Sequence, residues 1–595
     1  MKLLLLVIFL TYASILKADP ITVIDLHGEE LIEEDKKIDD VKNQDNKKDS
    51  IEENSESTET KDQDQKQIDE SSNTNESESA ANTIITLPGI WQNSQKDNLE
   101  FLFQNLKQNN SKALTNLLVK NLSVNDVAPE SFSQSNFDYI KTNTLLKIGK
   151  RKEAIDFVKK IDNYDENRDF YNVLELNYLF SINDLSNACN YADSFQENLK
   201  TKSNYILKVK IFCSFIQNKT EEADFLNSIL IDSNENDEYF QKIFFNLKNE
   251  SNTFIDFTKI SFDEDSFALY SAMLRIGDMP LNIKFLEYDP ANLSLPIILS
   301  SSSEILLRLK SAHISYELGL LDSESVSALY KSVDFNNAQL ENSEESLKNF
   351  NTKVELGMAL LYQKANIQLL PITRLESLRE FWNFSKQYNL EYLAYDISRN
   401  LINSINPSEE LSEYSLQISR AHIYNKNFEL ADKWILFAEK YLNLDNLDNK
   451  QEIESLKLLY DLKNSEDEEI FVENLVNNLL PIYQNENSNF HEELSTILSS
   501  VIEEDHINSV LKEQKKLIDE RIMPSRYLIQ RITKSSINNN IGELILSISV
   551  SMNNKSWKDV HPQHLQIILD SLRKTELKTI FQEIVLEILH DTKII

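Results

Sequence analysis

Glycine is the residue that this chain lacks most, with 7 among 595 residues, where an average chain carries about 7%. Glycine supplies the left-handed backbone of hairpin turns and lets a backbone approach bound phosphate closely. Its scarcity argues against β-sandwiches, nucleotide-binding α/β folds and enzymes built on glycine-rich loops. Because 41% of the residues are hydrophobic, the chain can still bury a large core. Several domains or an open-ended repeat array suit this length better than one compact domain.

The spacing of apolar residues is helical from residue 84 onward. Leu99, Leu102 and Phe103 follow the i, i+3, i+4 pattern of an amphipathic helix. The Ser-Ser-Ser-Glu run at residues 301–304 predicts a capping box that opens another helix. Sustained strand-like alternation with hairpin turns does not occur in the sequence, so the predicted fold class is all-α.

Three stretches of the chain align with one another at spacings of 34 and 35 residues. Each stretch ends a first helix, turns at Gly or Asn, and places an alanine in the second helix, at Ala154, Ala188 and Ala223. Alanine at such a position lets paired helices approach closely. A similar pattern returns at residues 421–431. The sequence therefore predicts stacked antiparallel helix pairs, roughly 12–14 of them at about 34–42 residues each.

This repeat resembles the tetratricopeptide-repeat (TPR) family, whose period is about 34 residues. The resemblance is clear over residues 136–232 and 412–445, although the Trp-Leu-Gly start and the closing Pro of that family are missing. The repeats are therefore TPR-like and degenerate. The resemblance implies an α-solenoid over residues 83–595, a fold that presents extended binding surfaces.

A broader and less specific resemblance involves the two ends of the helical region. The segments 87–94 (Leu-Pro-Gly-Ile-Trp-Gln-Asn-Ser) and 560–565 (Val-His-Pro-Gln-His-Leu) are similar to those of a group of exported alphaproteobacterial helical-repeat proteins with no assigned activity. This resemblance implies export and a helical fold, and it implies nothing about chemistry.

The N-terminus has the composition of a secretory signal peptide over residues 1–18. Lys2 precedes an apolar run that ends at Leu16, and Ala18 precedes the polar Asp19. Leu16 is larger than the residue preferred near a cleavage site, so an uncleaved anchor is the alternative. No later segment is long and apolar enough to span a bilayer. We expect a mature chain that is periplasmic or otherwise exported.

Two short regions separate this signal from the helices. Residues 19–27 form a short apolar patch, and residues 28–82 contain 19 Asp or Glu against 7 Lys, with no aromatic residue. Such a composition cannot bury enough apolar surface to offset chain entropy, which predicts a disordered acidic linker. The linker is either a tether for the apolar patch or a degenerate spacer.

The charge of the chain limits its partners. The formal net charge is −35, and we find no cluster of Lys and Arg of the kind that neutralises phosphates. Nucleic acid and anionic membrane surfaces are therefore poor partners. A protein or peptide is the partner that we expect.

Candidate residues for catalysis or metal binding are few. His561 and His564 form the only close histidine pair, but Pro562 at a first helical position makes His561 a natural helix cap. The sequence lacks a Gly-x-Ser-x-Gly elbow, a His-Glu-x-x-His motif, a Cys-x-x-Cys motif and a phosphate loop. We therefore expect no catalytic residue, no cofactor and no metal.

The TPR-like register places a set of aromatic, Asn and Leu residues in a concave groove formed by the first helix of each repeat. Such residues could anchor a bound peptide, although packing between adjacent repeats would also explain them. The predicted groove residues are Tyr139, Asn143, Leu146, Phe170, Asn177, Phe180, Tyr205, Phe212 and Phe215.

Two cysteines, Cys189 and Cys213, lie in adjacent helices of this register. A disulfide needs Cα atoms about 4.4–6.8 Å apart, whereas packed helix axes lie about 8–10 Å apart. Free cysteine is also among the most buried residue types. We expect two buried free thiols, with a disulfide as the alternative.

These observations predict an exported scaffold or adaptor that binds envelope proteins or peptides. Two alternatives remain open from the sequence. One is a superhelical module that serves peptidoglycan enzymes, and the other is a purely structural spacer.

Overall fold

The computed structural model describes residues 89–107, 109–161, 165–194, 203–233, 237–251, 255–256, 266–350, 352–465, 467–484, 491–502 and 519–595. The signal peptide, the apolar patch and the acidic linker predicted within residues 1–82 lie outside the described residues.

The described residues are helical, as the sequence predicts, and contain 29 α-helices and no strand. The helices of the first half are α1 (Lys96–Asn105), α2 (Lys112–Leu122), α3 (Gln134–Lys147), α4 (Arg151–Val158), α5 (Arg168–Ser181), α6 (Leu185–Asp193), α7 (Ser203–Ile216), α8 (Thr220–Asp232), α9 (Glu238–Lys248), α10 (Phe267–Ile276), α11 (Ile283–Tyr288), α12 (Pro290–Leu299), α13 (Ile305–Glu317) and α14 (Ser323–Lys331). The helices that follow are α15 (Asn337–Glu341), α16 (Ser343–Phe350), α17 (Val354–Asn366), α18 (Pro371–Gln387), α19 (Glu391–Ile397), α20 (Arg399–Ile402), α21 (Ser415–Tyr424), α22 (Phe428–Tyr441), α23 (Leu447–Asn464), α24 (Glu468–Gln484), α25 (His491–Val501), α26 (Arg526–Ile537), α27 (Ile541–Met552), α28 (Pro562–Arg573) and α29 (Lys578–Asp591).

Tight turns join the two helices of each predicted repeat. Gly149, Asn183 and Asn218 have φ angles of 78°, 65° and 62°, the left-handed conformation that ends many helices. In each case the amide of the residue that follows the turn residue donates to a carbonyl five residues earlier, at 2.8–2.9 Å. These hydrogen bonds join Lys150 to Leu145, Asp184 to Leu179 and Lys219 to Ser214. The turns predicted at Gly or Asn are thus confirmed.

The alanines that define the repeat are buried. Ala154, Ala188 and Ala223 have no exposed surface, and neither have Trp434 and Ala438 in the later copy of the pattern. Buried small side chains permit close contact between neighbouring helices, so α3 packs on α4, α5 on α6, and α6 on α7.

The predicted helix starts have mixed outcomes. His561 caps α28 as predicted, because its Nδ1 accepts from the amide of Gln563 at 3.1 Å. The capping box at residues 301–304 is wrong, since Glu304 caps α13 without a side-chain hydrogen bond. Ser303 instead accepts from the amide of Leu281 at 3.0 Å, a loop contact that local sequence does not reveal.

The beginning and the end of the described chain pack against each other. α1 and α2 contact α27, and α2 also contacts α29. Trp91 is fully buried there against Gly542, where an added Cβ would lie 2.5 Å from the indole. The amide of Gly542 donates to the carbonyl of Ile90 at 3.3 Å. One apolar core therefore contains residues from both ends of the described part of the chain.

Polar groups complete this contact between the ends. Glu587 accepts from the Ser111 hydroxyl at 2.6 Å, from the Ala113 amide at 2.8 Å and from the Trp557 indole at 2.8 Å. Its carboxylate thus lies at the N-terminus of α2, where the helix dipole favours negative charge. Asn553 also donates to the Asn105 carbonyl at 2.9 Å.

Candidate functional site

The nine predicted groove residues divide into two groups by exposure. The side chains of five are half-buried and can still be reached from solvent, namely Tyr139, Asn143, Leu146, Phe170 and Phe215. The rings of Tyr139 and Phe170 pack edge to face at 5.0 Å, and those of Phe215 and Phe244 at 5.9 Å.

The other four groove residues, Asn177, Phe180, Tyr205 and Phe212, are buried. The Tyr205 hydroxyl donates to Asn177 Oδ1 at 2.7 Å, and the Phe180 and Phe212 rings lie 6.0 Å apart. α10 contributes to the burial of Phe180, since it packs on α5 and Arg275 donates to the Phe180 carbonyl at 2.6 Å. These four side chains pack between helices and offer no surface to a partner.

A different surface in the same repeats exposes large apolar side chains. α8 buries only Ala223 and Leu230 completely, yet Phe225 is 65% exposed. Ile229, Ile231 and, on the following helix α9, Phe245 are also exposed. We call Phe225, Ile229 and Phe245 the α8–α9 surface.

Polar side chains bridge α8 and α9 beside these residues. Lys248 donates to both carboxylate oxygens of Asp224 at 2.7 and 2.6 Å. Asn227 and Gln241 exchange two amide hydrogen bonds of 3.0 and 2.7 Å. Phe225 directly follows Asp224 in α8, and Phe245 lies one turn before Lys248 in α9. The surface therefore has aromatic anchors with a polar border, the usual composition of a protein interface.

The sequence carries a signal for this surface that the repeat alignment hides. α8 contains Phe225, Leu226, Ile229, Leu230 and Ile231, more large apolar residues than one buried helix face can hold. The groove assignment missed it because it considered only the first helix of each repeat.

His564, one of the two histidines of the close pair, lies beside a serine hydroxyl. His564 lies 2.9 Å from the Ser551 hydroxyl, but both side chains are buried. Burial, with Lys555 and His561 nearby, lowers the pKa of His564 to about 4. No group of three or more His, Cys, Asp or Glu side chains in the described part of the chain is placed to hold a metal ion.

One partly exposed cluster of ionisable groups joins α29 to the middle of the chain. His590 Nε2 lies 3.5 Å from Glu391 Oε1 on α19, and its Nδ1 lies 4.0 Å from Asp591. The ring of Tyr392 is 4.7 Å from the imidazole, and that of Tyr424 is 6.3 Å away. The cluster connects helices that are distant in sequence.

The charges in this cluster stabilise each other. Burial lowers the pKa of His590, but Asp591 and Glu391 raise it, and the net pKa lies above 6.5. Burial raises the pKa of Glu391, whereas His590 and a backbone contact lower it to a net value below 4.5. Between these two pKa values both groups are charged and form an ion pair.

Cys189 and Cys213 form a disulfide, with Cα atoms 5.5 Å apart. Our expectation of two free thiols is therefore wrong, and the alternative, a disulfide, is correct. α6 and α7 pack closely and place the two residues at the same level along their helix axes. Their Cα atoms therefore lie closer together than the average spacing of packed helix axes. Both sulfur-bearing side chains are buried.

Among the described residues no helix has both the length and the hydrophobicity needed to cross a membrane. Comparisons with protein-family models, curated proteins and solved structures found no match for the chain.

The disulfide can be tested by counting thiols in the denatured, unreduced protein. We expect no reactive thiol before reduction and two afterwards. Because the bond spans 24 residues of sequence, reduction should lower the free energy of unfolding by about 3–4 kcal/mol. A Cys189→Ser/Cys213→Ser variant is the control, since reductant should not change its stability. Two reactive thiols in the unreduced protein would contradict the assignment.

The ion pair of His590 predicts a pH dependence of stability. A histidine whose folded pKa is raised stabilises the protein below its unfolded pKa of about 6.5, and this contribution disappears as pH rises through the folded pKa. His590→Gln should therefore lower the thermal midpoint more below about pH 6.5 than at about pH 9. Glu391→Gln should give the same trend, and the double variant should be no worse than either single variant. A loss of stability that is equal at both pH values would refute this assignment.

Proposed function

We propose that this protein is an exported helical-repeat scaffold that binds another protein through the α8–α9 surface. The observation that carries the proposal is the exposure of two aromatic rings, Phe225 and Phe245, on neighbouring helices with a polar border. Fully burying a phenylalanine side chain is worth about 1.5–3 kcal/mol, so a partner that covers both rings gains substantial binding energy. Aromatic side chains are also frequent interaction hot spots.

The architecture that we propose is a TPR-like stack of helix pairs. The repeated left-handed turns at Gly149, Asn183 and Asn218 support it. Similar turns with positive φ occur at Gly319 and Asn389, beyond the stretches that align in sequence. Each pair packs mainly on its neighbours along much of the chain, as in repeat proteins.

Export outside the cytoplasm is the second part of the proposal. The apolar run after Lys2 has the features of a secretory signal. The Cys189–Cys213 bond supports the same compartment, because structural disulfides persist in oxidising compartments and are rare in the cytosol. We therefore propose an envelope protein as the partner.

The α8–α9 surface is a better binding site than the groove predicted from the register. Four of the nine groove residues are buried by the protein's own helices. Binding at these four residues would require the helices that bury them to separate, whereas Phe225 and Phe245 are already exposed. A partner can therefore reach the α8–α9 surface without a change in the fold.

The proposal can be tested by crosslinking in cells, followed by binding measurements with the purified partner. A Phe225→Ser/Phe245→Ser variant should lose the crosslinks to that partner. With purified proteins its affinity should fall at least tenfold, since truncating one hot-spot residue costs about 2 kcal/mol or more. The thermal midpoint should change little, because both rings are exposed.

The matched control is Ile537→Ser, which changes an apolar residue that is 73% exposed on α26. This variant should retain the crosslinks and the affinity of the natural chain. If the phenylalanine variant binds the partner as tightly as the control, the α8–α9 surface is not the binding site.

A further inference from the structure

One stretch of the chain is basic, although the chain as a whole is acidic. Residues 147–160 contain six Lys or Arg against two Asp or Glu, and no other stretch of that length in the described ranges contains six Lys or Arg. The net charge of the whole chain conceals this local excess, which runs from the end of α3 through α4. Its four exposed lysines form what we call the α4 lysine strip, namely Lys147, Lys152, Lys159 and Lys160.

The lysines of the strip have no acidic partner in the part of the chain that the structure describes. None of the four lies within ion-pair distance of a carboxylate there, whereas the neighbouring Arg151 pairs with Asp289 at 2.8 Å. Lys152 and Lys159 are about two helical turns apart, so they lie on the same exposed face of α4. Asp156, which is also exposed on α4, offsets one of the four charges. The strip therefore suits a partner that is rich in carboxylates.

The N-terminal end of the described chain lies beside this strip. The amide of Gly89, the first described residue, donates to Asp126 Oδ2 at 2.8 Å. The neighbouring Asn125 donates through its Nδ2 to the Lys160 carbonyl at 3.1 Å. The chain that precedes Gly89 therefore joins the described residues next to the C-terminal end of α4.

The chain that leads to Gly89 is rich in carboxylates. Residues 52–78, which lie outside the described residues, contain 10 Asp or Glu against 2 Lys, and we call them the acidic segment. Glu78 is 11 residues before Gly89, a length of chain that spans at most about 36–40 Å. Because α4 itself is only about 12 Å long, the acidic segment can reach every lysine of the strip.

We propose that the acidic segment binds the α4 lysine strip of the same molecule. A segment that is tethered beside its site is present there at a high effective concentration. An acidic molecule from outside lacks this advantage and must displace the segment to reach the lysines. The contact is electrostatic and exposed, so it weakens as salt shortens the Debye length from about 10 Å at 0.1 M.

Carbodiimide crosslinking of the full-length chain, followed by mass spectrometry, tests this proposal because the reagent joins carboxylates to amines that touch. Peptides from residues 52–78 should be joined to lysines of the strip. The yield should fall when NaCl is raised from about 50 mM to about 500 mM. In an equimolar mixture of the natural chain and its ¹⁵N-labelled form, the two halves of each crosslink should carry the same isotope.

A strip variant, Lys152→Glu/Lys159→Glu, should lose the crosslinks of the acidic segment to Lys147 and Lys160, the two strip lysines that it retains. The matched control is Lys353→Glu/Lys450→Glu, which changes the net charge equally at two exposed lysines outside the strip. The control should keep these crosslinks at the natural yield. Because all four substituted residues are exposed, the thermal midpoints of both variants should stay close to that of the natural chain.

Three results would overturn the proposal. The first is a natural chain without crosslinks between the acidic segment and the strip. The second is crosslinks that join light to heavy copies, since the occupant is then a second molecule. The third is a control that loses the crosslinks as fully as the strip variant does. None of these results bears on the α8–α9 surface, which Phe225→Ser/Phe245→Ser tests separately.

Discussion

The contact of Trp91 with Gly542 joins the first helices of the described chain to the last ones. The indole is fully buried, and only glycine leaves room for it on α27. Truncating a buried tryptophan costs about 3–5 kcal/mol, a large part of the 5–15 kcal/mol that typically stabilises a domain. With Glu587 at the N-terminus of α2, this contact covers faces of the terminal helices. An open stack would leave those faces exposed to water.

Packing between distant helices also decides which surfaces a partner can reach. α10 covers α5 and buries Phe180, while the pairing of His590 with Glu391 joins α29 to α19. Large apolar side chains that remain exposed include Phe225 and Phe245 of the α8–α9 surface.

Features determined within one repeat could be predicted from the sequence. The turn at Asn183 and the burial of Ala188 depend on residues that are close in the chain, and the predictions of both are confirmed. The contact of Trp91 with Gly542 joins residues from opposite ends, and a 34-residue pattern contains no information about it. The disulfide was misjudged because it depends on the relative height of Cys189 and Cys213 along two helices, which a sequence register gives only approximately.

A distance measurement between the two ends tests the account most directly. Cysteines substituted for the exposed Lys107 and Asn554 can carry nitroxide labels, since Cys189 and Cys213 are bridged. The Lys107 amide donates to Asn553 at 3.1 Å, so pulsed electron paramagnetic resonance should give one short distance. An open stack of a dozen helix pairs, with axes about 8–10 Å apart, would separate the labels by roughly 100 Å. A long or unresolved distance would contradict the packing of the two ends.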